Sequence, residues 1–372
     1  MKPRRVIALL GRRDDPTDAV EEYCHYLGAA LEWHDFQLQI QRVPWGIYSW
    51  QASLDALRRQ AAGWRDTWVL VQYTALAWSS RGFPQRFLRV LDILKSAGAR
   101  AGVVYHDVEP FQGVRFIDRL RRHAQVHTMR RALHLADLAI FTVPPEKLSW
   151  LPGFSSSTHF IPVGPNLPIP GTGITPIALW KATDTVPNGT GIPAIAVFSI
   201  TGGKAGARET QIILAAVRYA SQKLGKLRLS VFGRHAELCE TDLRRGFQNV
   251  PVELSIDGVL EPAQVVQKLS ASDVLLFVRG PISTRRGSAI AGIACGLPVI
   301  AYPGSETAVP ITDAGVVLVS PDQPDELNAA LVRVLSDASY RMDLATRSRA
   351  AYKTHFAWPA IAARYSALLN TR

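Results

Sequence analysis

The sequence predicts an α/β protein made of two consecutive Rossmann-like domains. Its 372 residues exceed the ~250–300 residues at which a single hydrophobic core stops growing, so two domains are expected. Short apolar runs alternate with longer helical patterns, which is the signature of a parallel sheet flanked by helices. A stretch rich in proline and glycine, 162–193, interrupts the alternation near its middle. We therefore expect two domains that face each other across a cleft, with ligands at the carboxyl ends of the strands.

The first half of the chain begins with a predicted strand. Its apolar run, 6–10, is too short for the apolar region of ~7–15 residues in a signal peptide. Asp14, Asp15 and Thr17 are candidate caps for the helix that follows. The predicted strands are 4–10, 36–42, 68–71, 101–105 and 138–142, and the predicted helices are 17–31, 85–96 and 114–135.

The second half repeats the alternation. Its predicted strands are 195–200, 227–232, 274–278, 297–302 and 316–318, and its predicted helices are 208–223, 263–271, 288–295 and 324–336. A last helix, 358–369, follows after the second domain is complete. The predicted boundaries are 1–165 for the first domain together with 355–372, 166–192 for a linker or loop, and 193–354 for the second domain.

Composition indicates an ordinary globular protein of a reducing compartment. Hydrophobic residues make up 47% and charged residues 20%, and no apolar run approaches the ~18 residues of a membrane span. Cys24, Cys239 and Cys295 are far apart and form no CxxC pair, so we expect neither disulfides nor a zinc site and predict a cytoplasmic protein. The net charge of +11 indicates an anionic partner, which leaves nucleic acid, anionic lipid and a phosphorylated substrate open.

A glycine-rich turn follows the first predicted strand of the second domain. Residues 198–204 read FSITGGK, and a helix is predicted soon after. Free backbone N–H groups, a helix N-terminus and a cation together suit a phosphate group. The segment is not a P-loop, because Phe198 stands where the first glycine would be and Ala205 follows the lysine. A flexible turn with a solvated lysine is the alternative. The residues predicted to bind the anion are Gly202, Gly203, Lys204 and Arg208.

An arginine-rich loop follows the strand predicted at 274–278. Residues 279–288 read RGPISTRRGS and lead into a helix of small residues. The start of a helix normally favours acidic residues, so arginines there indicate an anion bound between them. Arginines that point into water are the alternative. The residues predicted to contact this anion are Arg279, Ser283, Arg285, Arg286, Gly287 and Ser288.

His106, Asp107 and Glu109 follow the strand predicted at 101–105. Titratable groups at the carboxyl end of a parallel strand are placed for acid–base chemistry or for contacts with hydroxyl groups. We therefore predict that His106 and Asp107 are catalytic, with a structural histidine as the alternative. No metal-binding DxD pairing is evident at the end of a strand, and the acidic pair Asp14–Asp15 is assigned a loop or capping role, so no metal is expected.

In order and spacing, several segments resemble family 4 of the GT-B glycosyltransferases, a retaining type that includes many bacterial polysaccharide-assembly enzymes. No single motif is decisive, but the resemblance spans nearly the whole chain. The resembling segments are 15–21, the His106–Asp107 pair, 161–166, Lys204, the run CGLPVIA at 295–301, and 355–358 with the helix that follows.

The resemblance implies a GT-B fold whose C-terminal helix crosses back to the N-terminal domain. It implies that the second domain binds a nucleotide-diphosphate-sugar donor, with Lys204 on the diphosphate. The first domain is then on the acceptor side, with Pro16, Thr17 and Asp18 in the loop near the acceptor. No cofactor is implied beyond the donor substrate. Retaining members need no protein nucleophile, because the leaving phosphate helps to deprotonate the acceptor.

The chain departs from the family at the donor helix. Ser283 and Ala291 stand where the family usually has two glutamates, one of which typically holds the ribose, so ribose recognition must differ. The arginine that often precedes the lysine is also missing, and nearby arginines are candidates for its charge. A catalytically inactive nucleotide-sugar-binding protein and a GT-B sugar-nucleotide epimerase remain alternatives. An epimerase needs acid–base carboxylates, and the second half offers few beyond Glu306.

The helix predicted at 114–135 is basic and amphipathic. Such a segment can lie on an anionic membrane surface. Polysaccharide-assembly enzymes often use lipid-linked acceptors, so we expect a lipid-linked or growing glycan acceptor and peripheral attachment to the inner face of the membrane. A solvated helix packed on its own sheet is the alternative. Nucleic acid is not expected as a partner, because no RNA- or DNA-binding pattern accompanies the charge. The basic and apolar residues that make the predicted helix amphipathic are Arg115, Phe116, Ile117, Arg119, Leu120, Arg121, Arg122, Arg130 and Arg131.

Overall fold

The computed structural model describes residues 3–14, 17–151, 153, 157–169 and 191–371. The chain divides into two compact units, of which the first is Met1–Val163 with Trp358–Arg372 and the second is Gly164–Ala357. The first unit therefore contains both ends of the chain. Most of the linker predicted at 166–192 lies outside the described residues.

The described part of the first unit contains one parallel sheet and its flanking helices. The strands are β1 Arg4–Leu10, β2 Phe36–Arg42, β3 Trp68–Tyr73, β4 Arg100–Tyr105, β5 Leu138–Phe141 and β6 Thr158–Phe160. The helices are α1 Ala19–Leu31, α2 Trp50–Ala61, α3 Phe87–Ser96 and α4 Phe116–Leu135. The strand order is β2-β1-β3-β4-β5-β6. The central strands β3 and β4 are apolar and almost wholly buried, as expected for a parallel sheet covered on both faces.

The described part of the second unit repeats this plan. Its strands are β7 Ala194–Phe198, β8 Leu227–Phe232, β9 Val252–Asp257, β10 Val274–Pro281, β11 Val299–Tyr302 and β12 Val316–Leu318. Its helices are α5 Gly203–Leu224, α6 Glu240–Gly246, α7 Pro262–Ser270, α8 Gly287–Ala294, α9 Pro324–Ser336 and α10 Ala338–Ala351. The sheet is parallel with the order β12-β11-β10-β7-β8-β9. Both described sheets thus have six strands.

The last helix, α11 Trp358–Leu369, packs on α1 and completes the first unit. The hydroxyl groups of Tyr23 and Tyr365 are 2.8 Å apart and form a buried hydrogen bond. The Trp358 ring stacks on Tyr26 with ring centroids 5.6 Å apart. The return of the C-terminal helix to the N-terminal domain, which the resemblance implied, is confirmed.

Many element boundaries differ from the sequence prediction, most of them by one or two residues. Helix α1 is capped by Asp18, whose side chain accepts from the backbone of Val20 and Glu21, so the caps predicted at Asp14 and Thr17 were wrong, and the candidate Asp15 lies outside the described residues. Helix α5 begins at Gly203 rather than at 208, and β10 continues to Pro281 rather than ending at 278. The sequence analysis also missed α2, α6, α10, β6 and β9. None of the described helices is long and apolar enough to cross a membrane.

Candidate functional site

Four loops begin at the carboxyl edge of the second sheet. They follow β7, β8, β10 and β11, which are neighbours in the order β11-β10-β7-β8. Because these strands are parallel, their carboxyl ends share one edge of the sheet. The residues predicted to bind the donor lie in or next to these loops.

The loop after β7 needs glycine because it approaches the helix closely. Gly203 has a φ of 67°, a left-handed conformation that glycine adopts without steric cost. A Cβ atom on Gly206 would overlap the carbonyl oxygen of Thr201. The loop therefore lies directly against the first turn of α5, where the backbone N–H groups have no partner within the helix.

Glu209 fixes the same loop from within α5. Its side chain is buried, and its Oε2 accepts a 2.8 Å hydrogen bond from the backbone N–H of Thr201. Hydrogen bonds to a carboxylate are stronger than neutral ones. Glu209 was not predicted from the sequence, because nothing local distinguishes it from any glutamate of an amphipathic helix.

Lys204 and Arg208 lie four residues apart in the first turns of α5, so they share a face of the helix. Both residues are exposed, and neither forms an ion pair with another described residue. Gly202 is the N-cap of the helix and has no side chain to occupy the backbone amides. The structure thus brings the four residues of the predicted phosphate site together at one helix start.

The loop after β8 contributes a histidine that the sequence analysis missed. The Nε2 atom of His235 lies 3.6 Å from the position that a Cβ atom on Gly202 would take. His235 also has a left-handed φ of 62°, which holds its backbone in a tight turn. Its place just after β8, at the same edge as Lys204, was the signal available in the sequence.

Arg285 forms a two-point ion pair with Glu306, which lies in the loop after β11. The Nε–Oε2 distance is 2.7 Å and the Nη2–Oε1 distance is 2.8 Å. Burial raises the pKa of Glu306, but the hydrogen bonds from Arg285 outweigh it and hold that pKa below its ordinary value. Glu306 is therefore a carboxylate bound to arginine, and Arg285 does not offer its full charge to a ligand.

Arg279 and Arg286, which precede and follow Arg285 in the sequence, are both half-buried. Arg279 lies near the end of β10, and Arg286 is the N-cap residue of α8. The Nε atom of each is buried and has no hydrogen-bond partner among the described residues. Burial lowers the pKa of both guanidinium groups, repulsion from Arg234 at Arg279 and from Arg285 at Arg286 adds to this, and attraction by Glu209 and Glu306, respectively, opposes it. An anion would stabilise two such crowded cations.

The start of α8 holds the remaining predicted donor residues. The helix begins at Gly287, with Ser288 in its first turn. Ser283 is buried near Glu306, and its hydroxyl group has no hydrogen-bond partner among the described residues. Ala291 is buried within α8. The second position where the resemblance expects a glutamate therefore offers only an alanine methyl group.

In the first unit, His106 lies beside the end of β3. Its Nε2 atom is 2.8 Å from Oε1 of Gln72, and the Gln72 amide nitrogen donates to Leu70 O at 3.0 Å. Because Gln72 Oε1 is then an acceptor, Nε2 of His106 carries the proton and Nδ1 has the lone pair. The Tyr23 ring packs edge-on against the imidazole with centroids 5.0 Å apart. Burial lowers the pKa of His106 to about 4, so the ring is neutral at pH 7.

Asp107 borders an open cavity of ≈ 360 Å³ in the first unit. Its Oδ2 accepts a 2.8 Å hydrogen bond from the backbone N–H of Ala75, so it holds the loop after β3. Glu109, at the same cavity, accepts hydrogen bonds from both the backbone and the hydroxyl group of Ser149. The cavity is lined by Ala75, Leu76, Ser80, Arg81, Gly82, Asp107, Glu109, Phe111, Arg121 and Gln125.

The predicted acceptor loop is only partly described. Pro16 lies outside the described residues, and Thr17 precedes the helix cap. The carboxylate of Asp18 is buried and, besides capping α1, accepts a 2.9 Å hydrogen bond from Arg42 Nη2. Asp18 therefore has a structural role that the sequence did not reveal.

No group of three or more His, Cys, Asp or Glu side chains that could hold a metal ion lies within the described residues.

No family model matches the sequence, and no curated protein matches it in sequence. Solved structures match it over nearly its whole length. HepE from Anabaena in complex with UDP and glucose has a TM-score of 0.61 and 15% identity, covering 98% of this chain and 99% of its own. Sucrose-phosphate synthase from Thermosynechococcus elongatus has a TM-score of 0.65 and 17% identity, covering 98% of each chain. WaaG, a glycosyltransferase involved in lipopolysaccharide biosynthesis, has a TM-score of 0.63 and 12% identity, covering 99% of this chain and 100% of its own.

At these identities the likeness shows the fold. These three proteins are GT-B glycosyltransferases, and the chain has the GT-B fold that the resemblance implied. A putative UDP-N-acetylglucosamine 2-epimerase from Listeria monocytogenes is also similar, with a TM-score of 0.56 and 14% identity over 98% of this chain and 94% of its own. The fold by itself therefore does not separate sugar transfer from epimerisation.

Proposed function

We propose that the protein is a retaining, family 4-like glycosyltransferase that moves a sugar from a nucleotide-diphosphate-sugar donor to an acceptor without a metal ion. The observation that carries the proposal is the start of α5, where Gly202 and Gly203 leave backbone amides open beside Lys204 and Arg208. HepE has been solved with UDP-glucose, which supports a nucleotide sugar as the donor.

The chemistry of the donor explains why such a site would accelerate transfer. When the nucleotide departs, negative charge develops on its diphosphate oxygens. Fixed amides and cations at the start of α5 would stabilise that charge. His235 packs against the same helix start and would contact the same phosphates. In a retaining reaction on one face of the sugar, the departing phosphate can take the proton of the acceptor hydroxyl.

The state of His106 agrees with this route for the proton. An imidazole with a pKa of about 4 is a weak base at neutral pH. It would therefore orient a sugar or acceptor hydroxyl through Nδ1 rather than remove its proton. We assign Asp107 to the same side of the reaction as a positioning residue, because its carboxylate holds the backbone of Ala75.

The beginning of α4 supports an acceptor at a membrane. Val114 is 91% exposed and Phe116 is 75% exposed, and Ile117 and Leu120 are exposed beside them; these four residues are the apolar surface. Arg119 and other exposed arginines adjoin it. Exposed apolar side chains among arginines fit an anionic lipid surface. We place the protein in the cytoplasm, docked through the apolar surface on the inner face of the membrane, where a lipid-linked glycan of polysaccharide assembly would be its acceptor.

Several of the arginines predicted to face the membrane also contact other residues of the protein, and Arg121 and Arg130 are held most firmly. Arg121 donates to Asp118 at 2.9 Å and to the carbonyl group of Arg81 at 2.9 Å. Arg130 donates to the carbonyl group of Trp150 at 3.0 Å. The membrane charge is therefore assigned to the exposed Arg115, Arg119, Arg122 and Arg131, although Arg115 also lies 3.5 Å from Asp118 and Arg122 donates to Gln112 at 3.5 Å.

A nucleotide-release assay tests the transferase against its rivals. Nucleotide sugars are incubated with the protein and with a membrane extract, the released nucleotide is measured, and the sugar product is identified by NMR. We expect release that requires the extract and is lost in Lys204→Ala. An epimerised sugar without transfer would indicate an epimerase, and binding without any product would indicate an inactive protein.

The ion pair between Glu306 and Arg285 weighs against an epimerase. An epimerase would need the Glu306 carboxylate for acid–base chemistry, and in this structure that carboxylate is bound by Arg285.

A further inference from the structure

The positive charges of Arg279 and Arg286 are only partly balanced by nearby acidic side chains. Neither forms an ion pair or a hydrogen bond with another described residue, and both bury an Nε atom without a partner. Arginine stays charged in proteins, so burying it without a partner costs free energy. A ligand that supplies an anion at this point would remove that cost.

The nearby acidic groups are already engaged. Glu306 is bound at two points by Arg285, and Glu209 accepts the backbone N–H of Thr201. The loop 282–286 and α8 contain no acidic residue. Glu209 and Glu306 attract Arg279 and Arg286, respectively, but form no ion pair with them, so the charge of the two arginines is only partly compensated.

The proposed donor site has its own phosphate-binding groups at the start of α5. Lys204, Arg208 and the open amides of α5 suffice for its two negative charges. The arginine pair lies instead on β10 and at the start of α8. A neutral sugar such as glucose would leave these guanidinium groups without an anion.

We infer that the transferred sugar is itself acidic, a uronic acid whose carboxylate binds Arg279 and Arg286. This inference rests on the proposed donor function and names the class of sugar that the same site selects. A planar guanidinium group binds a carboxylate through two parallel hydrogen bonds. One carboxylate between two arginines would satisfy their unpaired N–H groups and screen their mutual repulsion.

Binding of paired neutral and acidic donors tests the inference. Dissociation constants are measured by calorimetry for UDP, UDP-glucose and UDP-glucuronate, and in parallel for GDP, GDP-mannose and GDP-mannuronate. We expect one nucleotide series to bind, with the uronate about 10-fold or more tighter than its neutral counterpart. Arg279→Met and Arg286→Met should remove this preference while leaving the affinity for the bare nucleoside diphosphate within about threefold. Lys204→Ala should instead weaken all members of the series alike.

The possible failures are distinct. Equal affinity for the neutral sugar and the uronate, or a preference that survives in both methionine variants, would overturn the inference and leave the donor site intact. A loss of nucleoside diphosphate affinity in the methionine variants equal to the loss of uronate affinity would assign the arginines to the diphosphate and also overturn it. If no nucleotide of either series binds, the proposed donor function fails, and the inference fails with it.

Discussion

Arg285 and Glu306 hold two loops together through N···O distances of 2.7 and 2.8 Å. One loop follows β10 and the other follows β11. The side chains are 22% and 12% exposed, so solvent and salt screen the pair only partly. The pair fixes the loop on which Arg286 lies and leaves Glu306 ionised.

Glu306→Gln should therefore destabilise the protein. It leaves the part-buried charge of Arg285 without its partner, and we expect the free energy of unfolding at pH 7 to fall by about 1–3 kcal/mol. Urea denaturation measures the change. Glu253→Gln is the matched control, because it removes an exposed ion pair with Lys226 and should leave stability nearly unchanged.

The same substitution has a pH signature. The pKa of Glu306 is lower in the folded protein than its ordinary value of 4.5. Its contribution to stability is therefore complete above that ordinary value and disappears as the pH falls through the lower folded value. The difference between wild type and Glu306→Gln should shrink as the pH falls below 4.5. A difference that stays constant until acid unfolding begins would show that the ion pair is not its source.

Gly206→Ala should be harmful although alanine is the better helix former. Elsewhere in a helix this change stabilises by about 1 kcal/mol. Here the added Cβ atom would overlap the Thr201 carbonyl oxygen, so we expect a loss of about 1–3 kcal/mol and weaker donor binding. Gly287→Ala is the control, because the space around its Cβ position is open. Equal melting temperatures for the two variants would contradict the close packing of the loop on α5.

The imidazole of His106 should resist protonation. Its pKa is lowered to about 4 by burial, so its NMR signals should stay constant from pH 8 to about pH 5. Because the folded state disfavours the proton, His106 reduces stability as the pH falls below the ordinary histidine value of 6.5. The signal is assigned by its absence in His106→Gln. A titration midpoint near the ordinary value would disprove the neutral imidazole on which the assigned role depends.

Flotation with liposomes measures the proposed membrane contact. The wild type should float with vesicles containing anionic phosphatidylglycerol at low salt, and less so at high salt or with neutral vesicles. Phe116→Ser combined with Ile117→Ser should reduce the bound fraction about tenfold by removing exposed apolar area. Leu238→Ser is the control, because Leu238 is also exposed but lies in the second unit. No flotation of the wild type at low salt would exclude docking through the apolar surface.

The GT-B fold was predictable because apolar runs and helical periodicity are local properties of the sequence. Strands such as β2 and β8 were predicted with the bounds that the structure gives them. The start of α5 was placed too late, because a glycine-rich segment usually indicates a loop. Its early helical turn depends on Glu209, whose hydrogen bond to Thr201 is a property of the folded chain.

Residue types at strand ends were a good guide to candidate positions but a poor guide to their partners. The sequence singled out Arg285 and Arg286 equally. The structure gives Arg285 the carboxylate of Glu306, 21 residues away, and leaves Arg286 with an unpaired buried Nε atom. Likewise, Asp18 appeared as an acceptor-side residue, whereas its carboxylate caps α1 and binds Arg42. Such pairings depend on which loops meet at a sheet edge, and no local pattern encodes them.

A thermal-shift comparison of wild type and Lys204→Ala tests the donor site at the start of α5 most directly. The ligands are UDP-, GDP-, ADP- and CMP-sugars, and Lys223→Ala, an exposed lysine in the last turn of the same helix, is the control. One nucleotide series should raise the melting temperature of the wild type and of Lys223→Ala by about 2 °C or more. Lys204→Ala should melt at the wild-type temperature without ligand and lose most of that shift. A full shift in Lys204→Ala, or no shift of the wild type by any of these ligands, would contradict a donor site at the start of α5.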